Sequence, residues 1–366
     1  MNDGVQMRGE QPTTRAFADD EPAGSKVAGM SAMREGTQRT LLAADVGGTN
    51  ARLGFLAFDA QAAQSDAALS VLAYQVYPCR DYADLASIVR RFCNEHAIKP
   101  RRFALACAGY LHDGRVLNSN LQWPIEPAAL KRELGMDDVS VLNDLVAQAH
   151  AMPHLQASSV TLLHAPASSR NAAAGPVVVI APGTGLGVAV RLPGSPSQVL
   201  PTEAGHIQLA ARTPREQQLL AELAPAGTHL PYDHALSGPG LLRMYQALCR
   251  IEHQTIRLHS PAEVVAAAME NADPVAVETL QLFCGWLGSF TGDMAMLYGA
   301  TGGIYLAGGF LAHMIAVLEA SEFVARFLDK GVMRPFLQTV PVHVVDHAQL
   351  GVIGAASWLH EHAATV

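Results

Sequence analysis

Cysteine is scarce and scattered. The five present, Cys79, Cys93, Cys107, Cys249 and Cys284, form no Cys-x-x-Cys pair, which argues against a disulfide framework and against a zinc site. Free thiols in a reducing, cytoplasmic compartment are the expectation, with Cys107 a buried strand residue inside the apolar run 103–108 rather than a nucleophile. Positive charge is also short. Lys and Arg number 25 against 33 Asp and Glu, a formal net charge of -8, so no basic footprint for nucleic acid exists. With 366 residues, 49% hydrophobic and 16% charged, the chain is long enough for two globular domains sharing a cleft, and a small molecule is the expected partner.

No lysine or arginine occurs from Leu282 to Leu318, and this stretch is apolar enough to raise the question of a membrane span. Asp293 and the glycines at 285, 288, 292, 299, 302, 303, 308 and 309 interrupt it, so two buried helices around a glycine-rich strand and turn are expected instead, with no membrane association. Residues 1–39 lack periodicity and lack the apolar core of a secretory signal, and the acidic run Asp19-Asp-Glu21 argues against a transit peptide. They are expected to form a disordered tail; translation starting at Met30 or Met33 is the alternative.

From Thr40 onward the pattern reads strand, turn, strand: residues 41–44, a Gly-Gly turn, then residues 52–58 with alternating apolar positions. Helical spacing follows at Leu85, Ile88, Val89 and Phe92, then strands at 103–108 and 139–142, the second running into a helix near Leu145. A loop over 165–176 precedes a second hairpin-like unit that echoes the first, 177–181 and 188–190 around a glycine turn. A third strand-to-glycine turn ends at Gly308-Gly309, before helical spacing at Met314, Val317 and Leu318. The alternation implies an α/β layer architecture, and three such turns suggest loops converging on one ligand.

The turn Asp45-Val-Gly-Gly-Thr49 is read in two ways. One is a plain type I′ hairpin in which glycine supplies the positive φ. The other is a phosphate loop without a Walker lysine, which must use main-chain N–H groups approached closely at glycine, with Asp45 facing a magnesium ion through water. Gly183-Thr-Gly-Leu-Gly187 departs from the dinucleotide fingerprint spacing; Gly183, Thr184 and Gly185 suit the terminal phosphates from the opposite domain, and Gly308 and Gly309 suit the flat face of a nucleoside. Asn143-Asp144 falls where a strand ends and a helix starts, so it reads as an N-cap or as a carboxylate pointing into the cleft, and different atoms can serve both. Glu203-Ala-Gly-His206 contains a single Glu-x-x-His with a glycine inside it, which disfavours a metal cage and suits paired contacts to neighbouring hydroxyls, one accepting and one donating. Ser237 to Gly240 reads as a helix start, leaving Asp233 free to face the cleft.

In order and spacing, Asp45-Val-Gly-Gly-Thr-Asn-Ala-Arg52, Leu142-Asn-Asp-Leu145, Gly183-Thr-Gly-Leu-Gly-Val188, Leu200-Pro-Thr-Glu-Ala-Gly-His206, Leu236-Ser-Gly-Pro-Gly-Leu241 and Leu306-Ala-Gly-Gly309 resemble the bacterial glucokinases of the hexokinase and actin-like ATPase superfamily. Each motif alone is weak and six in order are specific. The resemblance covers Thr40 to the C-terminus. It implies a two-domain ribonuclease H-like fold, a small domain of residues 40–154 plus 346–366 and a large one of 155–345, closing over the sugar. It also implies ATP-dependent phosphorylation of glucose at its 6-hydroxyl, feeding glycolysis, with Mg2+ carried by ATP, and a cytoplasmic homodimer.

Residue by residue, the resemblance places the nucleotide loop on Ala44, Asp45, Val46, Gly47, Gly48 and Thr49, and a second phosphate contact on Gly183 to Gly185. It places sugar contacts on Asn143, Asp144, Glu203 and His206, with Asp144 the catalytic base, and Asp233 is expected to join them in binding the sugar ring. Two departures stand out. Asp233 occupies the position, four residues before Ser-Gly-Pro-Gly, where the family usually has glutamate, and would reach a sugar only by backbone movement or a bridging water; Ala204-Gly205 replaces the usual Gly-Gly. The rival readings are a kinase of another sugar or of an acyl group on the same scaffold, and a catalytically silent sugar-sensing regulator. The regulator is disfavoured by the absence of a Cys-His zinc spacing and by the short, aperiodic tail.

Overall fold

The computed structural model describes residues 38–59, 69–117, 121, 123–166 and 175–362. Residues 1–37, the greater part of the expected tail, and 167–174, within the expected loop at 165–176, lie outside the described residues. The strand at the start of the chain begins earlier than its apolar core suggests, because Gln38, Arg39 and Thr40 already pair with Asp59, Phe58 and Ala57.

The first half contains β1 (Gln38–Val46), β2 (Asn50–Asp59), β3 (Leu69–Pro78), β4 (Arg102–Cys107), a small ribbon of β5 (Tyr110–His112) and β6 (Arg115–Leu117), and β7 (Asp138–Asn143). The second contains β8 (Val160–His164), β9 (Val177–Pro182), β10 (Leu186–Leu192), β11 (Gln198–Thr202), β12 (Gly303–Ala307) and β13 (Val342–Val345). They form two mixed sheets, in the orders β3-β2-β1-β4-β7 and β11-β10-β9-β12-β13-β8. The echo seen in the sequence is therefore a repeat of topology. In each half a three-stranded antiparallel meander is extended by two parallel strands, β4 and β7 in one and β12 and β13 in the other. Each first hairpin, β1–β2 and β9–β10, carries one of the two glycine turns at the same place in the repeat.

Helices α1 (Leu85–Glu95), α2 (Pro127–Leu134) and α3 (Asp144–Ala151) belong to the first half. Helices α4 (Pro214–Leu223), α5 (Gly238–Ile251), α6 (Pro261–Met269), α7 (Pro274–Tyr298), α8 (Gly309–Ala312), α9 (Ile315–Ala320), α10 (Phe323–Leu328) and α11 (Arg334–Leu337) belong to the second, and α12 (Leu350–His362) ends the described chain. The period-2 pattern of β1 divides its side chains between two layers. Leu42, Ala44 and Val46 pack with α1, whose Leu85, Ile88, Val89 and Phe92 are buried as their spacing predicts. Leu41 and Ala43 face a middle layer built on α3 and α12, which also receives Val179, Ala189, Ala307 and Val345 from the second sheet.

That middle layer is rich in alanine and glycine because two helices and two sheets meet there at close range. At Gly354 on α12 an added Cβ would lie 1.6 Å from the carbonyl oxygen of Ala147 on α3, so the two backbones touch and only glycine fits.

The stretch 282–318 folds differently in detail from the expectation. Gly285, Gly288 and Gly292 do not interrupt a helix but lie inside the 25-residue α7. An added Cβ at Gly288 would approach the Phe323 carbonyl oxygen to 2.2 Å. These glycines trade helix propensity, about 1 kcal/mol each, for direct contact with α10. No helix among the described residues is long and apolar enough to cross a membrane.

Candidate functional site

The parallel strands β1, β4 and β7 run side by side, so their carboxyl ends fall on one edge of the first sheet, the edge where α/β sheets bind ligands. Asp45 lies near the end of β1, and Asn143 closes β7. The turn between β1 and β2 is closed by Gly47 N–H donating to the Asn50 carbonyl at 3.0 Å. Neither Gly47 nor Gly48 is among the described glycines with positive φ, so the plain type I′ reading of this turn is incorrect. What glycine contributes here is the missing side chain: a Cβ at Gly47 would have only the Asn50 carbonyl oxygen, 3.8 Å away, within 4 Å.

Asp45 stands directly across the β1–β2 ladder from Arg52, and its Oδ2 lies 4.0 Å from Arg52 Nη1, with the two side chains 24% and 35% exposed. From the other side α12 presses on it, since an added Cβ at Gly351 would lie 2.5 Å from the Asp45 carboxyl carbon. Burial pushes the Asp45 carboxyl up to about 6; Arg52 opposes that shift and the charge of Asp144 adds to it. Arg52 was quoted in the motif without a role, and Gly351 gave no signal at all, because only tertiary packing brings the C-terminal helix to β1. Cys79 is another residue that sequence reasoning left aside. Its amide donates to the Thr49 carbonyl at 2.8 Å and its buried thiol donates to the Gly47 carbonyl at 3.4 Å, bracing the turn from the end of β3.

Asn143 is the N-cap of α3: its Oδ1 accepts from Leu145 N–H at 3.0 Å and Val146 N–H at 3.3 Å. Asp144 follows as the first helical residue, and its Oδ1 accepts from Leu145 N–H at 2.9 Å. Burial raises the Asp144 pKa above the ordinary carboxylate value, opposed by the Leu145 amide and by a hydrogen bond from the Asn143 side chain. A carboxylate so placed is a better proton acceptor than one in open water.

The second glycine turn follows β9. Gly183 N–H donates to the Gly185 carbonyl at 2.7 Å, and the Gly183 carbonyl accepts from Gly238 N–H, at the start of α5, at 2.8 Å. Ser237 caps α5 as predicted, accepting from Gly240 N–H at 3.1 Å. Asp233 Oδ1 accepts from Leu186 N–H at 2.6 Å, a main-chain contact that its place in the sequence did not suggest. Glu203 and His206 flank a short 3-10 turn, with side chains 91% and 62% exposed and 3.9 Å apart at their nearest polar atoms. They are thus open to a ligand. Gly308 follows β12 and precedes α8 with φ of 156°, and an added Cβ there would meet the Pro182 carbonyl oxygen at 2.6 Å. Gly309 has no atom within 4 Å of its Cβ position, an open place beside the second turn.

The first two residues of β10 join these parts. Leu186 offers its N–H to Asp233, and its carbonyl lies 2.1 Å from where a Cβ of Gly205 would stand. A Cβ at Gly187 would lie 2.8 Å from the Leu145 side chain of α3. The second turn thus touches the Glu203–His206 loop and Asp233 through Leu186, and Leu145, the residue after Asp144, through Gly187. Asp45 in turn senses the charge of Asp144, and Gly308 abuts Pro182 at the base of the second turn. All six motifs meet in one neighbourhood.

The glucokinase family profile matches residues 42–362. The chain belongs to the glucokinase family. It is 41% identical over 329 residues, 89% of this chain and 96% of the relative, to a glucokinase-like protein of Xylella fastidiosa. A crystal structure of glucokinase from an Antarctic psychrotroph superposes with a TM-score of 0.78 at 35% identity, covering 88% of this chain and 98% of that one. A glucokinase of the ROK family from Streptomyces griseus, in complex with glucose and AMPPNP, shares the fold at a TM-score of 0.58 and 19% identity, over 87% and 99% of the two chains. The fold is that of the actin-like ATPases, and the chain is a sugar kinase.

Proposed function

We propose that this protein phosphorylates D-glucose at its 6-hydroxyl with ATP. The reading is supported above all by the contacts of Leu186 with Asp233 and Gly205 and of Gly187 with Leu145, next to the buried Asp144 carboxyl. Phosphoryl transfer asks for positioning and charge stabilisation more than for covalent chemistry. Main-chain amides of residues 44–49 and 183–185, other than those of Gly47 and Gly183 that close the turns themselves, hold the triphosphate, and the open surface at Gly309, beside Gly308, accepts the nucleoside. Asn143, Glu203 and His206 fix the sugar ring through its hydroxyls.

Asp144 accepts the proton of the 6-hydroxyl as that oxygen attacks the γ-phosphorus; the new O–P bond forms, the bond to the β-phosphate oxygen breaks, and ADP departs. The Leu145 amide on Oδ1 and the Asn143 side chain hold the carboxylate in place while it takes the substrate proton. A part-exposed carboxylate with hard oxygen donors suits magnesium, and Asp45 would face the ion carried by ATP through water; bound there, magnesium neutralises charge on the β- and γ-phosphates.

Residues 40–154 with 346–366, and residues 155–345, are proposed as the two bodies that close a central cleft over the sugar, excluding water that would otherwise hydrolyse ATP. The family resemblance extends the proposal to a cytoplasmic homodimer whose product enters glycolysis.

A coupled assay with MgATP across glucose, mannose, fructose, N-acetylglucosamine and acetate tests the substrate. The highest kcat/KM is expected for glucose, and a clear preference for any other acceptor would overturn the assignment. Asp144→Ala tests the base. A fall in kcat of roughly 100- to 10,000-fold is expected, with glucose binding retained, and near-normal turnover would remove Asp144 from the role.

A further inference from the structure

We infer that Glu361, near the end of α12, is a positioning residue for the kinase reaction: with His150 and Ser197 it forms a clasp that holds the two halves in the arrangement that binds sugar and nucleotide together. The inference rests on the kinase reading above and adds a group outside all six motifs to the parts on which substrate binding depends.

Three segments converge on this carboxylate. Its Oε2 accepts from Ser197 N–H at 2.9 Å and from the Ser197 hydroxyl at 2.5 Å, its Oε1 accepts from the Ser357 hydroxyl at 3.2 Å, and His150 Nδ1 lies 3.7 Å from Oε1. His150 Nδ1 is also 3.4 Å from Ser197 Oγ, and both residues are buried. Ser357 is tied in turn to His154, just past α3, by a contact of 2.9 Å with Nε2. The charge of Glu361 further reaches Arg191 on β10.

Where these groups sit on their elements decides what the clasp holds. Helix α3 starts with Asp144 and carries His150 in its last turn, roughly 9 Å further along the axis. Ser197 immediately precedes β11, and Glu203 immediately follows it. One carboxylate therefore fixes the rear of the helix that presents the proposed base and the rear of the strand that leads to the Glu203–His206 loop. At the front, α3 and that loop both touch β10, through Leu145 with Gly187 and through Gly205 with Leu186. With helix and strand pinned at both ends, one half turns against the other only by breaking the Glu361 bonds, and a buried polar cluster left half satisfied is costly. The clasp thus keeps populated the arrangement in which the sugar contacts of both halves lie on one strand. A competent arrangement present in only a fraction of molecules weakens apparent affinity by that fraction. A carboxylate that merely supported the fold would set how much protein is native, and would leave the affinity of the native protein unchanged.

Titration calorimetry of the full chain with glucose and, separately, with a non-hydrolysable ATP analogue tests this, together with kcat and the KM for glucose. Glu361→Ala is expected to weaken both ligands about tenfold, as a fall of the competent population to about one tenth would. Binding stoichiometry should be unchanged, and kcat at saturation should stay within about twofold, because bound substrates restore the arrangement. Ser197→Ala, which removes one of the bonds, should weaken both ligands about threefold, and in the Glu361→Ala background it should add little, because its partner is already gone. Glu361→Gln, which keeps an oxygen to accept from Ser197, should fall between the wild type and Glu361→Ala.

Unchanged affinities with a smaller fraction of binding-competent protein would show a purely structural role and overturn the inference, as would full additivity of Glu361→Ala and Ser197→Ala. Should Glu361→Ala not fold, Glu361→Gln and Ser197→Ala still decide it: both weaken binding if the clasp positions the halves, and neither does if it does not. A wild-type protein that bound the analogue but no glucose would sink the glucokinase reading alone, while the variants' affinity for the analogue, which meets both glycine turns, would still report on the clasp.

Discussion

The Asn143 side chain caps α3 with its oxygen and supports Asp144 with its amide, so the two readings of this pair in the sequence, cap and site, are separate atoms of one residue. Asn143→Ala removes both. Loss of the cap should cost about 1 kcal/mol of stability, measurable as a lower urea midpoint with an unchanged m value. Loss of the hydrogen bond to Asp144 raises the pKa of a base that must be ionised to work, so the acid limb of the kcat profile should move to higher pH. An acid limb that stayed in place would show that the amide does not reach the carboxylate in the working enzyme. Residues of this kind are legible in sequence because capping is local. Cys79 and Gly351 were not read as parts of the site, since their contacts with the first turn and with Asp45 come from packing between separate segments; Arg52, across the local β1–β2 hairpin from Asp45, was open to such a reading.

At the scale of elements, α12 ties the two halves together. Its Glu361 accepts from Ser197 N–H at 2.9 Å, from Ser197 Oγ at 2.5 Å and from Ser357 Oγ at 3.2 Å, and lies 3.7 Å from His150 Nδ1 on α3. Burial alone would raise the Glu361 pKa, but His150 and the Ser197 hydroxyl and amide outweigh it and hold the carboxyl at about 2. A depressed carboxylate contributes stability that is fully present above the unfolded value near 4.5 and is lost as pH falls toward 2. The difference corresponds to about 3 kcal/mol. Acid unfolding of the native protein should therefore show a steep loss over that window, and Glu361→Gln should flatten it; a variant with the same acid dependence as the native chain would refute the assignment. The hairpins were legible from alternation and glycine, as was α1 from its spacing. The glycines of α7 were not, because a helix interior tolerates glycine only where another backbone lies against it, and a single sequence does not show α10 arriving.

The whole molecule repeats one topology twice and places a glycine turn at the same point of each repeat, with α3 and α12 between the sheets. Such an arrangement can bring two halves together on a ligand that touches both. Glucose should then stabilise the fold, by about 2.7 kcal/mol at a hundredfold excess over its Kd, seen as a rise in Tm that mannitol, with similar hydroxyls and no ring, does not reproduce. Equal shifts with the two compounds would argue against a specific hexose site.

The sequence alone determined the α/β class, the order of the motifs, the helix starts at Asn143 and Ser237, and the resemblance to the glucokinases, because these depend on neighbours within a few residues or on order along the chain. Tertiary structure decided what each carboxylate faces. Asp45 is pressed by Gly351 from the far end of the chain, and Asp233 accepts from Leu186 N–H beside Gly185. Side-chain direction and desolvation depend on which surfaces pack together, and that packing joins residues hundreds of positions apart.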